Sequence, residues 1–177
     1  MTKSRLEAFS DGVIAIIITI MVLELKVPHG SDLEAIRPLL PVLMCYILSF
    51  IFVGIYWNNH HNMLHSAGKV SGTILWANLH LLFWLSLFPF ATTWMGEQMF
   101  SAVPVAIYGG ILFMAGTAYY FLARSLATSE GPDSAIAKGL GSDFKGKLSL
   151  VVYAVGIAFS FASTTVSFLL YLCTFSM

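Results

Sequence analysis

Long apolar runs separated by short polar clusters dominate the pattern of this chain. The first run follows Asp11 and reaches Leu23, with Thr19 as its one polar side chain. Runs of this kind predict membrane-spanning helices, which need about 20 mostly apolar residues. Four predicted helices cover residues at about 9–25, 39–57, 72–93 and 102–122.

The last apolar run, from Leu148 to Met177, permits two interpretations. As one helix its 30 residues would reach about 45 Å, which exceeds one bilayer core of about 30 Å and falls short of two spans. Hydroxyl side chains in its middle favour a hairpin of two helices, at about 148–161 and 164–176. These side chains are Ser160, Ser163, Thr164, Thr165 and Ser167. A single long, tilted helix is the alternative.

The polar segments between the runs predict turns and one helix start. Pro28-His29-Gly30 predicts a break after the first helix. Ser31 with Glu34 three residues later is typical of a capping box, which would open the second helix. Residues 124–147 form the longest polar stretch and predict a loop with one short helix.

The composition places most of the chain in a membrane. Of 177 residues, 58% are hydrophobic and 10% are charged, and the mean hydropathy is +0.81. Soluble domains average roughly 25% charged residues. We therefore predict an all-α integral membrane protein with one transmembrane domain, residues 1–177. The net charge of zero gives no electrostatic reason to expect nucleic-acid binding.

The basic residues predict the orientation of the chain. With the N-terminus inside, seven basic residues lie on the inner side and two on the outer side. The inner residues are Lys3, Arg5, Lys69, Arg124, Lys138, Lys145 and Lys147, and the outer residues are Lys26 and Arg37. Because inner loops carry the excess of Lys and Arg, this bias predicts a cytoplasmic N-terminus.

Little in the sequence could support catalysis. It contains no Gly-rich phosphate loop, no nucleophile elbow and no zinc-protease motif. We therefore predict no enzyme activity and no cofactor. His61 and His65 have a spacing that could bind a metal, but further donors are missing, so we expect no metal site. Cys45 and Cys173 lie in apolar runs, and we expect both to be reduced.

One face of the first helix combines apolar side chains with a hydroxyl. Ile16, Thr19, Ile20 and Leu23 fall at i, i+3, i+4 and i+7, which is one side of a helix. If several copies surrounded an axis, bulky apolar rings would close a pore by excluding water, and a Thr ring could replace part of an ion's hydration shell. The alternative is an ordinary buried helix face.

Polar side chains at the start of the first helix need partners. Ser10 and Asp11 suit the first turn of a helix, where both could act as caps. An ionisable group at this depth is also a candidate functional site. The candidate partners on the second and third helices are His60, His61, Asn78 and His80. We predict a polar network that clamps the first helix to the next two, with His60 or His61 beside Asp11.

The pattern Arg5-x-x-x-Phe9-Ser10-Asp11, followed by an apolar helix with one Thr, resembles the transmembrane protein 175 family of potassium channels. The resemblance also rests on the spacing to Ile16 and Thr19 and on Trp57 with the nearby His60 and His61. The overall length and the loop layout are similar to the bacterial branch, so the resemblance covers nearly the whole chain.

The resemblance implies a fold and a role for each motif residue. It implies six transmembrane helices per subunit and a homotetramer whose first helices line a central pore. Ile16 matches the family's apolar constriction, Thr19 the neighbouring hydroxyl ring, and Ile20 and Leu23 further apolar rings. Arg5, Phe9, Ser10 and Asp11 would be structural anchors of the pore helix. Six helices also favour the hairpin in residues 148–177.

The function implied by the resemblance is a potassium-preferring cation channel of the plasma membrane, gated by an apolar constriction. The expected partners are the bilayer, further copies of the chain and the permeant potassium ion. The first alternative is a secondary transporter of a small cation or proton, which would need a titrating group at mid-membrane. The second alternative is an assembly protein that transports nothing.

Overall fold

A computed structural model describes residues 2–141 and 143–174, and in this part of the chain every regular element is a helix. A short 3-10 helix, Leu33–Leu39, precedes α2. The α-helices are α1 (Lys3–Leu23), α2 (Leu40–His65), α3 (Gly72–Ser86), α4 (Phe88–Glu97), α5 (Ala102–Glu130), α6 (Ala135–Gly141), α7 (Phe144–Phe159) and α8 (Thr164–Cys173).

Among the described residues, four helical segments are long and apolar enough to cross a membrane. They are Lys3–Leu23, Leu33–His65, Gly72–Glu97 and Ala102–Glu130. The third of these consists of α3 and α4, which meet at Leu87. Pro89 explains the interruption, because it has no N–H to donate to the carbonyl of Leu85, one turn earlier.

Several helices extend beyond their predicted limits. α1 begins at Lys3 rather than near residue 9, and α2 continues to His65 rather than stopping near residue 57. α5 reaches Glu130, so the predicted loop is shorter at its start. Helical hydrogen bonding tolerates polar side chains on the exposed side of a helix, which hydropathy alone does not register. Gly131, with φ +94°, ends α5 in a conformation that favours glycine.

The residue predicted to cap the second helix, Ser31, is wrong. Asp32, not Ser31, precedes the 3-10 helix, and its Oδ1 accepts a hydrogen bond from the Ala35 N–H at 3.0 Å. An Asp side chain at this position satisfies a backbone donor that has no partner within the helix. The cap therefore starts a short helix that leads into α2.

The last apolar run is divided between two helices. α7 ends at Phe159, and α8 starts at Thr164. In the turn between them, the Ser160 hydroxyl donates a hydrogen bond to the carbonyl of Gly156. Ser163 caps α8 by accepting a hydrogen bond from the N–H of Val166. The predicted end of this segment, at residue 176, lies outside the described residues.

Close helix contacts are made where glycine allows them. A Cβ on Gly109 of α5 or on Gly156 of α7 would collide with the ring of Tyr171. The Tyr171 ring is fully buried between these helices, and its hydroxyl donates to the carbonyl of Val105. Small residues of this kind let membrane helices approach closely, so α8 is packed against both α5 and α7.

A buried set of hydroxyl groups joins α2, α4 and α5. Ser49 of α2 lies 2.6 Å from the Thr92 hydroxyl of α4 and 2.9 Å from the Tyr108 hydroxyl of α5. All three side chains are buried. Each polar group therefore has a partner in a region where an unpaired one would be costly.

Candidate functional site

α1 has one buried side and one exposed side. The buried side chains recur every three or four residues, as expected for a helix packed along one face. They are Leu6, Ser10, Ile14, Ile17 and Met21. Apart from Ser10 these side chains are apolar, so Ser10 marks the position where the buried face carries polar chemistry.

A buried chain of hydrogen bonds joins α1 to α3 and α2. The Asn78 Nδ2 group donates to Ser10 Oγ at 3.0 Å, and the Ser10 hydroxyl donates to the carbonyl of Leu6 at 2.9 Å. The other side of the amide, Asn78 Oδ1, lies 2.7 Å from His60 Nε2. Ser10, His60 and Asn78 are all 0% exposed. One amide on α3 thus contacts both α1 and α2.

The directions of these hydrogen bonds determine which ring nitrogen of His60 carries a proton. Since the Asn78 oxygen can only accept, the His60 Nε2 atom carries a proton and donates it. His60 Nδ1 is buried and has no hydrogen-bond partner among residues 2–141 and 143–174. A neutral ring with its proton on Nε2 fits both observations, because a proton on Nδ1 would be a buried donor without an acceptor.

Asp11 has a second set of contacts, nearer the surface. The indole N–H of Trp57 donates to Asp11 Oδ1 at 3.0 Å, and His61 Nδ1 lies 3.5 Å from Asp11 Oδ2. Trp57 and His61 are four residues apart and therefore share one face of α2. The neighbouring His60 points about 100° away, towards Asn78. The two histidines thus contact different helices.

The contact between Trp57 and the Asp11 carboxylate was not predicted from the sequence. The signal for this contact was its spacing of four residues from His61, which places both side chains opposite Asp11. The Trp57 side chain has one N–H donor, and a carboxylate oxygen can accept its hydrogen bond. The indole therefore serves as a hydrogen-bond donor to α1.

Three of the predicted residues stand outside these contacts. His80 does not join the network, because it is two residues after Asn78 and projects about 200° away. Its Nε2 atom accepts instead from the Trp84 indole N–H at 2.9 Å. Arg5 is exposed and has no side-chain partner in the described part of the protomer. Phe9 is 47% exposed, and among the described residues Ser10 and Asp11 are the motif residues whose side chains have polar contacts with α2 and α3.

The histidines of α2 do not converge on a metal position. The rings of His61 and His65 are stacked, with centroids 6.3 Å apart and an interplanar angle of 13°. Within the described ranges, no group of three His, Cys, Asp or Glu side chains is arranged to hold a metal ion. The His61 ring is instead directed at Asp11.

The opposite side of α1 is exposed along its full length. We call this side the open stripe; it consists of Arg5, Phe9, Gly12, Ile16, Thr19, Ile20 and Leu23, all exposed in the protomer. Ile16 is 58% exposed and Leu23 is 78% exposed. The Thr19 hydroxyl donates to the carbonyl of Ile16 at 2.9 Å. Its proton is therefore occupied, and the oxygen lone pairs are left for another partner.

A groove runs beside the open stripe, between α1 and α4. Its volume is about 870 Å³, and Ile16 and Ile20 form part of one wall. The α4 wall includes Phe90 and Trp94. At the end of the groove nearest the C-terminus of α1, the Lys26 ammonium donates to a Glu97 carboxylate oxygen, which links the segment after α1 to α4.

The fold and site define a multi-span membrane protein whose first helix is clamped by buried polar contacts and exposes a mostly apolar stripe. The family model for the endosomal/lysosomal potassium channel TMEM175 matches residues 5–89. A protein of Chryseobacterium sp. (strain P1-3), named as a potassium channel, is 56% identical over 161 residues, which are 91% of this chain and 84% of that protein. The chain therefore belongs to the TMEM175 family, and the resemblance drawn from Arg5 to Asp11 is confirmed.

A solved structure and a vertebrate relative extend the comparison. The crystal structure of a lysosomal potassium-selective channel TMEM175 homolog from Chamaesiphon minutus aligns with a TM-score of 0.76 and 28% identity, covering 97% of this chain and 95% of that one. A Gallus gallus protein named endosomal/lysosomal proton channel TMEM175 is 33% identical over 103 residues, 51% of this chain and 21% of that protein. The family is one of membrane channels, and the protein is not an enzyme.

Proposed function

We propose that this protein is a homotetrameric, potassium-preferring cation channel whose pore is lined by four α1 helices. The carrying observation is the open stripe, which exposes one side of a spanning helix whose other side is buried. Relatives named as potassium channels support the choice of ion. The permeant ion of this channel is potassium, and we expect no cofactor.

The groove beside the open stripe supports assembly from several copies. Its walls are largely apolar, and two of its residues, Ile16 and Ile20, also belong to the stripe. A second copy that packed in this groove would bury apolar surface next to the stripe and direct the remainder at a central axis. When one surface binds a different surface of an identical chain, the copies form a closed ring if the rotation between them closes.

Ile16 and Thr19 have different roles in this channel. Four Ile16 side chains form the apolar constriction, which closes the pore by excluding water. Four Thr19 hydroxyl oxygens lie one turn further out and offer lone pairs to a partly dehydrated ion, because their protons are bonded to Ile16 carbonyls. Ile20 and Leu23 add apolar rings towards the outer mouth. Selectivity should be modest, since hydroxyl groups provide fewer fixed oxygens than a carbonyl filter.

The membrane arrangement follows from the charges at the helix ends. We place the protein in the plasma membrane with a cytoplasmic N-terminus, because Lys69, Lys145 and Lys147 lie at the starts of α3 and α7 and in the segments before them. The hairpin of α7 and α8 supplies the fifth and sixth transmembrane helices. Its helices are shorter than the other spans, so the hairpin is expected to enter the membrane beside α5.

The decisive experiment is a reversal-potential measurement on purified protein in a planar bilayer. With potassium on one side and sodium on the other, unitary currents should reverse towards the potassium equilibrium potential. Reversal near zero with large currents would contradict potassium preference. Slow flux in vesicles without unitary currents would contradict the channel and support a transporter.

Two variants of Thr19 test whether its hydroxyl group is responsible for the potassium selectivity. Thr19→Val keeps the shape of the side chain but removes the oxygen, and it should lower the potassium-to-sodium permeability ratio several-fold. Thr19→Ser keeps the oxygen and should retain most of the ratio. Equal ratios for the two variants would remove Thr19 from the selectivity mechanism.

A further inference from the structure

A second cavity lies away from α1, between α2, α5, α6 and α7. Its volume is about 560 Å³, which is within the range of about 300–1,000 Å³ typical of small-molecule sites. It is open to the surface on the side where α2 and α5 end and α7 begins. The proposed orientation makes this the inner side of the membrane, at the depth of lipid headgroups.

The deep part of this cavity is apolar and aromatic. Phe52 of α2 and Tyr153 of α7 meet edge to face, with ring centroids 6.3 Å apart, and Ile55 and Leu150 line the cavity beside them. Gly116 of α5 completes the wall, and a Cβ at this position would approach Leu150 to 2.9 Å. The walls are therefore suited to hydrocarbon rather than to water.

The rim of the same cavity is polar and basic. Lys145 and Lys147 lie on one side, and the amides of Asn59 and Asn62 lie on the α2 side. Neither ammonium group has an ion-pair partner among the described residues. Asp143 is also at the rim, but its Oδ1 accepts a hydrogen bond from the Gly146 N–H at 2.8 Å as the cap of α7. Lys145, Lys147 and Asp143 together give the rim a net charge of +1 (two ammonium groups less one carboxylate), and an anion there would meet two ammonium groups and two amide donors.

We propose that this cavity binds an anionic phospholipid of the inner leaflet, with an acyl chain against Phe52 and Leu150 and the phosphate between Lys145 and Lys147. Basic pockets between transmembrane helices on the cytoplasmic side are suited to acidic headgroups. The charge of the rim favours an anionic lipid over a zwitterionic one, and the apolar interior favours a lipid over free phosphate. Lipid binding in this cavity does not require that the protein conduct ions.

Native mass spectrometry of the full chain, titrated with phosphatidylglycerol or phosphatidylcholine, tests this proposal. The wild type should bind phosphatidylglycerol at least about tenfold more tightly, and Lys145→Gln/Lys147→Gln should weaken that binding about thirtyfold, the loss expected for two basic contacts at a membrane surface. Lys145→Arg/Lys147→Arg should retain it. Equal binding of the two lipids by the wild type would overturn the proposal.

A matched control separates this cavity from the general charge of the inner surface. Lys69→Gln/Arg124→Gln removes the same charge from exposed residues outside the cavity and should weaken phosphatidylglycerol binding by less than about threefold. Ala135→Trp keeps every charge but fills the cavity mouth, and it should reduce binding of both lipids. Equal losses in the two Gln pairs, or unchanged binding by Ala135→Trp, would contradict the proposed site.

Discussion

The N-terminal and C-terminal halves of α1, which are its inner and outer halves in the proposed orientation, are held in different ways. In the inner half, Ser10 is 0% exposed and bonded to Asn78, and Asp11 is bonded to Trp57. In the outer half, Ile17 and Met21 are buried by apolar packing alone, while Leu23 is 78% exposed. Directional bonds fix the rotation of the inner half about the helix axis, whereas apolar packing tolerates small rotations.

This difference suggests that one half of α1 fixes the orientation of the helix and the other half forms the proposed pore. The polar contacts set which side of α1 faces away from α2 and α3, and so determine the direction of the open stripe. The outer half carries the side chains that we assign to the pore, Ile16, Thr19 and Leu23. A fixed inner half and a less constrained outer half would let the constriction change width without dissociation of the helices.

The largest expected effect comes from a change at the constriction itself. Ile16→Asn replaces four apolar side chains of the proposed ring with amides that bind water, so the barrier from water exclusion should fall. We expect leak current to rise about tenfold or more, which corresponds to about 1.4 kcal/mol of barrier, with weaker potassium selectivity. Single-channel recording measures both quantities.

A matched change on the same helix sharpens this result. Val22→Asn introduces the same amide at an exposed position outside the open stripe and should leave the leak current unchanged. If Ile16→Asn conducts like the wild type, Ile16 is not the constriction, whatever the behaviour of the Val22 variant.

The next largest effect should follow from removal of the amide that joins three helices. Asn78→Leu leaves Ser10 and His60 without their bonds to α3, and the expected loss of stability is about 1–3 kcal/mol. Thermal unfolding in detergent should show a midpoint several degrees lower. Asn58→Leu, on the exposed side of α2, is the control, and equal shifts for both variants would contradict the clamp.

A smaller effect is expected at Asp11, which is only partly buried. Asp11→Ala removes the acceptor of the Trp57 indole N–H, and we expect about 1 kcal/mol of lost stability and less assembled protein. Asp11→Asn keeps a carbonyl oxygen for Trp57 and should be closer to the wild type. Size-exclusion chromatography measures the yield, and normal yield from Asp11→Ala would exclude an anchoring role.

The smallest effect concerns the ion pair at the outer end. The hydrogen bond to Glu97 and, to a smaller extent, the negative charge of the Glu97 carboxylate raise the pKa of Lys26 above its ordinary value. The stabilisation is therefore fully present below the pKa of an unfolded lysine, about 10.4, and is lost as the pH rises through the folded value. Glu97→Gln should flatten the fall in thermal stability as the pH rises above about 10.4. An unchanged pH profile would show that the pair contributes nothing measurable.

The sequence predicted the elements whose signal lies in composition and periodicity. The four long apolar runs correspond to the four segments of the described chain that are able to cross a membrane. Ile16, Thr19 and Leu23, which their spacing places on one helix face, share an exposed side of α1. The helix start at Lys3 and the ends at His65 and Glu130 were missed, because polar residues at helix ends have low hydropathy and yet remain helical.

The partners of the polar residues could be predicted only as a set. His60 and His61 are adjacent in the sequence, and only the rotation of α2 decides that one contacts Asn78 and the other Asp11. The sequence grouped His80 with them, but its position two residues after Asn78 directs it to Trp84. Arg5 and Phe9 are exposed in the protomer, so their place in the motif did not translate into contacts with α2 or α3 that the sequence could name.

Cysteine accessibility at the outer end of α1 tests the central claim most directly. In a background in which Cys45 and Cys173 are replaced by Ala, Leu23→Cys and Val22→Cys each present one exposed thiol on neighbouring faces of the helix. A charged, membrane-impermeant methanethiosulfonate reagent added outside should block current through Leu23→Cys and spare Val22→Cys. Block of Val22→Cys with no effect on Leu23→Cys would show that the open stripe does not line the pore.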